Sequence, residues 1–140
     1  MIIDKTLEFS DAQALTATAA STNSIDLTVA RDVGVGMPLY INVTVDVALA
    51  GTSPTFQVSV QTDDNSAFSS PTTKFLGPVF STAPAGTVMA IPVPRDVLDE
   101  RFARLNYVMG GTTPTVTVSA HVSGEQGPDI TSYPDGVTYV

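Results

Sequence analysis

Few side chains in this sequence are equipped for chemistry. His121 is the one histidine, and there is no cysteine. An imidazole acting as base or metal ligand needs partners, and neither a second His nor a thiolate exists to supply them. His121 also falls on the polar side of an alternating apolar stretch, which predicts an exposed surface histidine. Asp63-Asp64-Asn65-Ser66 gathers oxygen acceptors, the ligands that a hard cation such as Ca²⁺ takes. It lacks the spaced ligands, the Gly and the terminal Glu of an EF-hand loop. Asp, Asn and Ser serve a turn equally well, so a turn is the reading adopted, with an ion site as the alternative.

Gly34-Val35-Gly36 is not continued into a dinucleotide fingerprint and has no βαβ context. No serine sits in a Gly-x-Ser-x-Gly elbow. Carboxylate pairs for glycoside hydrolysis are defined by spatial separation, but the chain has no tryptophan to stack a sugar. The expectation is a protein that is not an enzyme, with no catalytic residues, no metal and no cofactor.

The net charge of −8 argues against nucleic acid or anionic lipid as a partner. Arg95, Arg101 and Arg104 fall close together, but Asp96, Asp99 and Glu100 lie among them, which predicts a mixed-sign surface rather than a basic patch. Met1-Ile2-Ile3 meets Asp4 before an apolar run develops, so no secretory signal is expected. No apolar stretch approaches the ~20 residues that span a bilayer.

The elements that would position these residues are strands. Thr and Val are the commonest residues, 19 and 18 by count, and both are β-branched. With 43% hydrophobic and 14% charged residues, the chain should fold as one domain with a real core. Over residues 39–49 every odd position is apolar: Leu39, Ile41, Val43, Val45, Val47 and Leu49. This is the period of a strand with one dry face. Residues 55–62 repeat it with Phe56, Val58 and Val60, and residues 115–122 with Val116, Val118, Ala120 and Val122. Weaker candidates cover 24–29, 74–80, 87–93 and 104–109. Pro92 places the third of these at an edge, or ends it early.

About seven short strands with Gly/Pro/Ser/Asp connections predict a sandwich or barrel. Helix signals are confined to a turn at 12–15 and a short helix at 96–103. Gly51-Thr52-Ser53-Pro54-Thr55 returns as Gly111-Thr112-Thr113-Pro114-Thr115, each followed by an alternating strand. The echo marks either two similar β-loop-β units or one turn chemistry used twice.

The ends differ from the middle, so the domain is placed at 24–123 between an N-terminal arm (1–23) and a C-terminal arm or tail (124–140). The C-terminal segment retains Ile130, Tyr133, Val137, Tyr139 and Val140 among its turn formers. These five are the candidate interaction residues, either ordering against a neighbouring subunit or packing back on their own domain.

The opening Met1-Ile2-Ile3-Asp4-Lys5, with Phe9-Ser10-Asp11-Ala12-Gln13-Ala14 and Ser24-Ile25-Asp26-Leu27, resembles the start of a family of tailed-bacteriophage capsid cement (decoration) proteins. The resemblance continues through 31–40 and 58–70 (Val58-Ser59-Val60-Gln61-Thr62-Asp63-Asp64), then at Arg104-Leu105-Asn106-Tyr107-Val108 and Val116-Thr117-Val118-Ser119-Ala120. It implies a jelly-roll-like β-sandwich on the outer face of an icosahedral shell, bridging neighbouring major capsid subunits. It also implies a homo-oligomer with terminal arms, synthesised in the host bacterial cytoplasm and ending on the virion. It brings no catalytic residues. The alternative is a receptor- or glycan-binding module of a phage tail or adhesin, since one fold serves many functions.

Overall fold

The alternating β-branched residues do form strands, but the two longest strands run straight through the stretches expected to be connections. A computed structural model describes residues 4–29, 39–93 and 98–124. After a single 3₁₀ turn at Lys5–Leu7, the strands are β1 (Glu8–Leu15), β2 (Ala19–Ala20), β3 (Ile25–Asp26), β4 (Leu39–Asp63), β5 (Thr72–Leu76), β6 (Val88–Val93) and β7 (Phe102–Ser123). There is no α-helix among the described residues.

β4 and β7 pair antiparallel along their whole lengths, from Tyr40↔Ser123 to Asp63↔Phe102. Four register shifts lie between Val45 and Thr55, where this ribbon bends. Extra residues on one strand of a pair raise the local twist and kink the strand, and this is how a flat ribbon turns a corner. The bend separates each long strand into two halves. The first half of β4 lies between the second half of β7 and β6, and β1 lies outside β7. The second half of β4 lies between the first half of β7 and β5, and β2 and β3 lie outside β7.

Numbered in chain order with each long strand counted twice and β2 and β3 as one, the eight segments lie as 1-8-3-6 and 2-7-4-5. This is the connectivity of a jelly roll: two four-stranded layers of one hydrogen-bonded sheet folded onto itself. The fold is an all-β sandwich.

The corner is made by the echoing segments themselves. Thr52 pairs with Thr112, Thr55 with Gly110 and Ala50 with Thr115. Exchanging the two echoes turns the second pair into the third and the first into itself, so the corner has a local two-fold symmetry. Gly51 and Gly111 take φ of +133° and +97°, and Ser53 and Thr113 take +48° and +49°. A Cβ on Gly51 would lie 2.9 Å from the Thr113 carbonyl oxygen. One on Gly111 would strike the Ser53 carbonyl and lie 2.9 Å from Pro54 Cα. The two backbones approach too closely for any side chain there.

One core fills the space between the layers. Val43, Val45, Val58, Val60, Val116 and Val118 are all buried, as the alternation requires, joined by Phe9, Ile41, Phe56, Leu105 and Tyr107. Phe56 and Tyr107 stack with centroids 6.0 Å apart. Pro92 lies in β6, which pairs with β4 alone among the described strands, where a missing N–H does no harm.

Several expectations are corrected. Residues 51–54 and 111–114 are bulged strand, because the partner ladder supplies hydrogen bonds that a free turn would make internally. Val47 is 59% exposed, because the shift after Val45 breaks the alternation that placed it inward. Residues 12–15 are strand, not a helical turn, and Ala12 takes φ of 45° where β1 shifts register against β7. Within 96–103, residues 98–101 form no helix and Phe102 begins β7. Much of the segment read as an N-terminal arm packs into its own domain: β1 and β2 are sheet strands, because Phe9 and Leu15 are buried in the core. The candidate strand at 24–29 reduces to Ile25–Asp26.

Candidate functional site

Of the polar side chains singled out for chemistry, Asp63 and Asn65 are engaged in a turn. Asp63 ends β4 and closes the loop after it. Its carboxylate accepts from the amides of Asn65 (3.0 Å) and Ser70 (2.9 Å), while the Asn65 side chain accepts from the Ala67 amide. The Ser70 amide, chiefly, holds the Asp63 carboxyl below its ordinary range. The hydrogen bond with Asp63 raises Asp64 instead. Asx-type turns therefore account for the Asp63 and Asn65 side chains, as the turn reading expects. Among the described residues no three His, Cys, Asp or Glu side chains come together as a metal site.

His121 is not on the surface. It is 7% exposed, paired in register with Glu8 of β1 and Asn42 of β4. Its Nε2 has no hydrogen-bond partner among the described residues. Burial lowers its pKa, opposed by the nearby Glu8 carboxylate. Alternation gives the face of a strand but not whether that face is covered. Here the 3₁₀ turn packs against β7, and Asn42, beside His121, is 1% exposed.

The expected mixed-sign surface is present in the described part. Arg101 makes two 2.9 Å bonds to Asp26. Lys74 meets Asp99 at 2.8 Å, and Arg104 reaches Gln61 while its guanidinium covers the Phe68 ring. Arg95 and Asp96 lie outside the described residues.

The two open sides of the sandwich are finished differently. On the β1/β2 side, a polar net closes the layers. Gln13 donates to the Ala20 carbonyl and accepts from the Thr22 amide and the Ser10 hydroxyl, and that hydroxyl lies 2.8 Å from the Tyr107 hydroxyl. On the β5/β6 side there is an apolar groove of about 220 Å³. Its walls include Val58, Phe75, Gly77, Phe80, Met89 and Ile91, and among the described residues no titratable side chain lines it. Leu76 and Val79, each 60% exposed, lie in the same stretch of chain. Such a groove can hold an apolar side chain or an extended segment. Sequence reading missed it, because it is built where β5 and β6 approach across the layers.

The Bbp16 family matches residues 9–122, which include both layers, the corner and the groove. The chain belongs to the Bbp16 family. No curated protein matches it. The five candidate interaction residues, Ile130, Tyr133, Val137, Tyr139 and Val140, lie beyond the match and outside the described residues of this Bbp16-family chain.

Proposed function

We propose that this protein is a structural virion component that binds the outer surface of a phage capsid and cements neighbouring major capsid subunits, acting together with copies of itself. The observation that carries the reading is the division of labour among its side chains. Among the described residues Asp63 holds a turn and Asp26, Lys74, Asp99 and Arg101 form ion pairs, whereas the surface offers large apolar residues (Val47, Leu76 and Val79) and an apolar groove. That surface suits the covering of other protein rather than turnover of a ligand. The resemblance of the segments at 1–5, 9–14, 24–27, 31–40, 58–70, 104–108 and 116–120 to capsid cement proteins points the same way. An acidic chain on the outside of a shell has no packaged nucleic acid to meet. On a symmetric lattice, repeated weak contacts add avidity.

The glycan-binding alternative has Phe75 and Phe80 to offer as stacking faces, but among the described residues Thr87 is the one polar side chain lining the groove. A sugar needs more hydrogen-bonding partners than that.

The test is co-sedimentation with phage shells assembled without cement protein, alongside binding to a panel of cell-surface glycans. Saturable attachment to shells, weakened when Val47 and Val79 are replaced by Asp in a chain that melts normally, is the expected result. Binding to glycans without binding to shells would sink the proposal.

A further inference from the structure

The outer face of the second layer carries a cation that the fold leaves open. Among the described residues, Lys5 pairs with Glu8 and Asp11, Lys74 with Asp99 and Arg101 with Asp26. Arg104 of β7 has no carboxylate partner among them. Its Nε donates at 2.9 Å to the side chain of Gln61, the residue directly across the ladder in β4. Asp63, two residues further along β4, spends its carboxylate on the amides of Asn65 and Ser70.

The guanidinium is also held from below. Its Cζ lies 4.3 Å from the centroid of the Phe68 ring. Phe68 is buried and takes φ of 49°, a left-handed conformation that is an outlier for so bulky a residue. The loop fixes it there, with the Phe68 amide donating to the Asn65 carbonyl at 3.0 Å between the Asp63 and Asn65 turns. Such strain persists only where its surroundings over-determine it. Covering the ring would need no more than an unbranched side chain. A guanidinium stacked on a ring, with its Nε already bonded, does more. Its Nη edge is held as a fork that a carboxylate meets with two parallel bonds, and little rotamer freedom remains to be lost on binding.

The same face also offers apolar surface. Leu76, which is exposed, stands opposite Ser59 of β4, and Ser59 stands opposite Asn106 of β7. Cross-strand partners share a face, so this row lies next to the row of Gln61 and Arg104. An apolar residue beside a stacked arginine matches the centre of a protein interface, where Arg is enriched and the other charged residues are depleted.

We infer that Arg104 is the polar anchor of the capsid-facing surface. It takes an Asp or Glu carboxylate of a major capsid subunit as a two-pronged ion pair, with Leu76 covering apolar surface beside it. Two copies of a chain of net charge −8 repel, so the carboxylate is assigned to the shell rather than to a second copy.

This assignment rests on the capsid reading and is tested with the full-length protein and shells assembled without cement protein. Arg104→Gln removes the charge, and Arg104→Met removes it while keeping an unbranched side chain over Phe68. A variant that melts like the parent should attach roughly tenfold more weakly. Shells whose surface carboxylates have been converted to neutral amides should hold the parent as weakly as untreated shells hold the variant, and should hold the variant no more weakly than before. Equal attachment of parent and variant to untreated shells would overturn the anchor and leave the capsid reading standing. Undiminished attachment of the parent to amidated shells would overturn the carboxylate pairing, whether or not either variant folds. A parent that fails to attach to untreated shells would overturn the capsid reading, and the anchor with it.

Discussion

The buried hydroxyls of Ser10 and Tyr107 lie 2.8 Å apart although the residues are separated by 97 positions, and their contact joins the two layers of the sandwich. Ser10 belongs to β1 in one layer and Tyr107 to the first half of β7 in the other. The Ser10 hydroxyl also donates to Gln13 at 2.7 Å, so the tyrosine supplies the proton in the inter-layer bond. Burial, partly offset by this bond, raises the Tyr107 pKa well above its ordinary value, which keeps the donor protonated.

Tyr107→Phe retains the stack on Phe56 and should cost about 1–2 kcal/mol, the price of one unsatisfied buried acceptor. Ser10→Ala strands the tyrosine hydroxyl and should cost at least as much. The double variant should cost clearly less than the sum, because the two changes remove one shared interaction. Denaturant titration of the four proteins gives the coupling directly. Strict additivity would mean that the bond does not join the layers in solution.

Val45 and Val47 show where alternation holds and where it stops. Val45 is fully buried and Val47 is 59% exposed, with the register shift between them. Val45→Asp places an unpaired charge in the core and should cost about 3–5 kcal/mol or unfold the domain. Val47→Asp should lie within about 0.5 kcal/mol of the parent. Thermal melts of the two variants check the pair, and comparable losses would place the bend elsewhere.

The same pair explains how much of this fold is legible in its sequence. Strand faces follow from period two, and so the core valines and the edge position of Pro92 are readable. The bend is not, because Gly51-Thr52-Ser53-Pro54 carries the chemistry of a hairpin turn. What makes it a corner is its twin at Gly111-Thr112-Thr113-Pro114 lying directly across the ladder, a long-range fact. Likewise the groove joins Phe75 and Phe80 to Met89 and Ile91, which local patterning does not bring together. Burial of His121 depends on whether a second layer of chain covers an otherwise polar face.

The symmetric corner makes a prediction of its own. Gly86 and Gly111 both have positive φ, +87° and +97°, but a Cβ on Gly86 meets nothing within 4 Å whereas one on Gly111 strikes the backbone of Ser53 and Pro54. Gly86→Ala should therefore cost only the left-handed penalty, about 1 kcal/mol. Gly111→Ala adds a clash with main chain that cannot rotate away, and should cost at least about 2–3 kcal/mol. Gly51→Ala should resemble Gly111→Ala, given its φ and its approach to Thr113. Equal costs at Gly86 and Gly111, measured by chemical denaturation, would show that the two ladders are not in close contact at the corner.

His121 gives the protein a dependence on mild acid. Its folded-state pKa is lowered from the ordinary 6.5, chiefly by burial. A lowered value means that protonation favours the unfolded chain, so the stability linked to neutral His121 is fully present above pH 6.5. It declines as the pH falls below 6.5 towards the folded-state pKa. Asp26 and Asp63 are also lowered, by the Arg101 guanidinium and the Ser70 amide respectively, and their contributions are lost in the more acidic range where carboxylates protonate. The two effects separate on the pH axis. Melting temperature should begin to fall in the parent protein as the pH drops below 6.5, and a His121→Asn variant should lack this first decline. In the carboxylate range both proteins should lose stability together. A parent whose melting temperature holds steady until the carboxylates protonate would mean that His121 can be charged in the folded protein without cost.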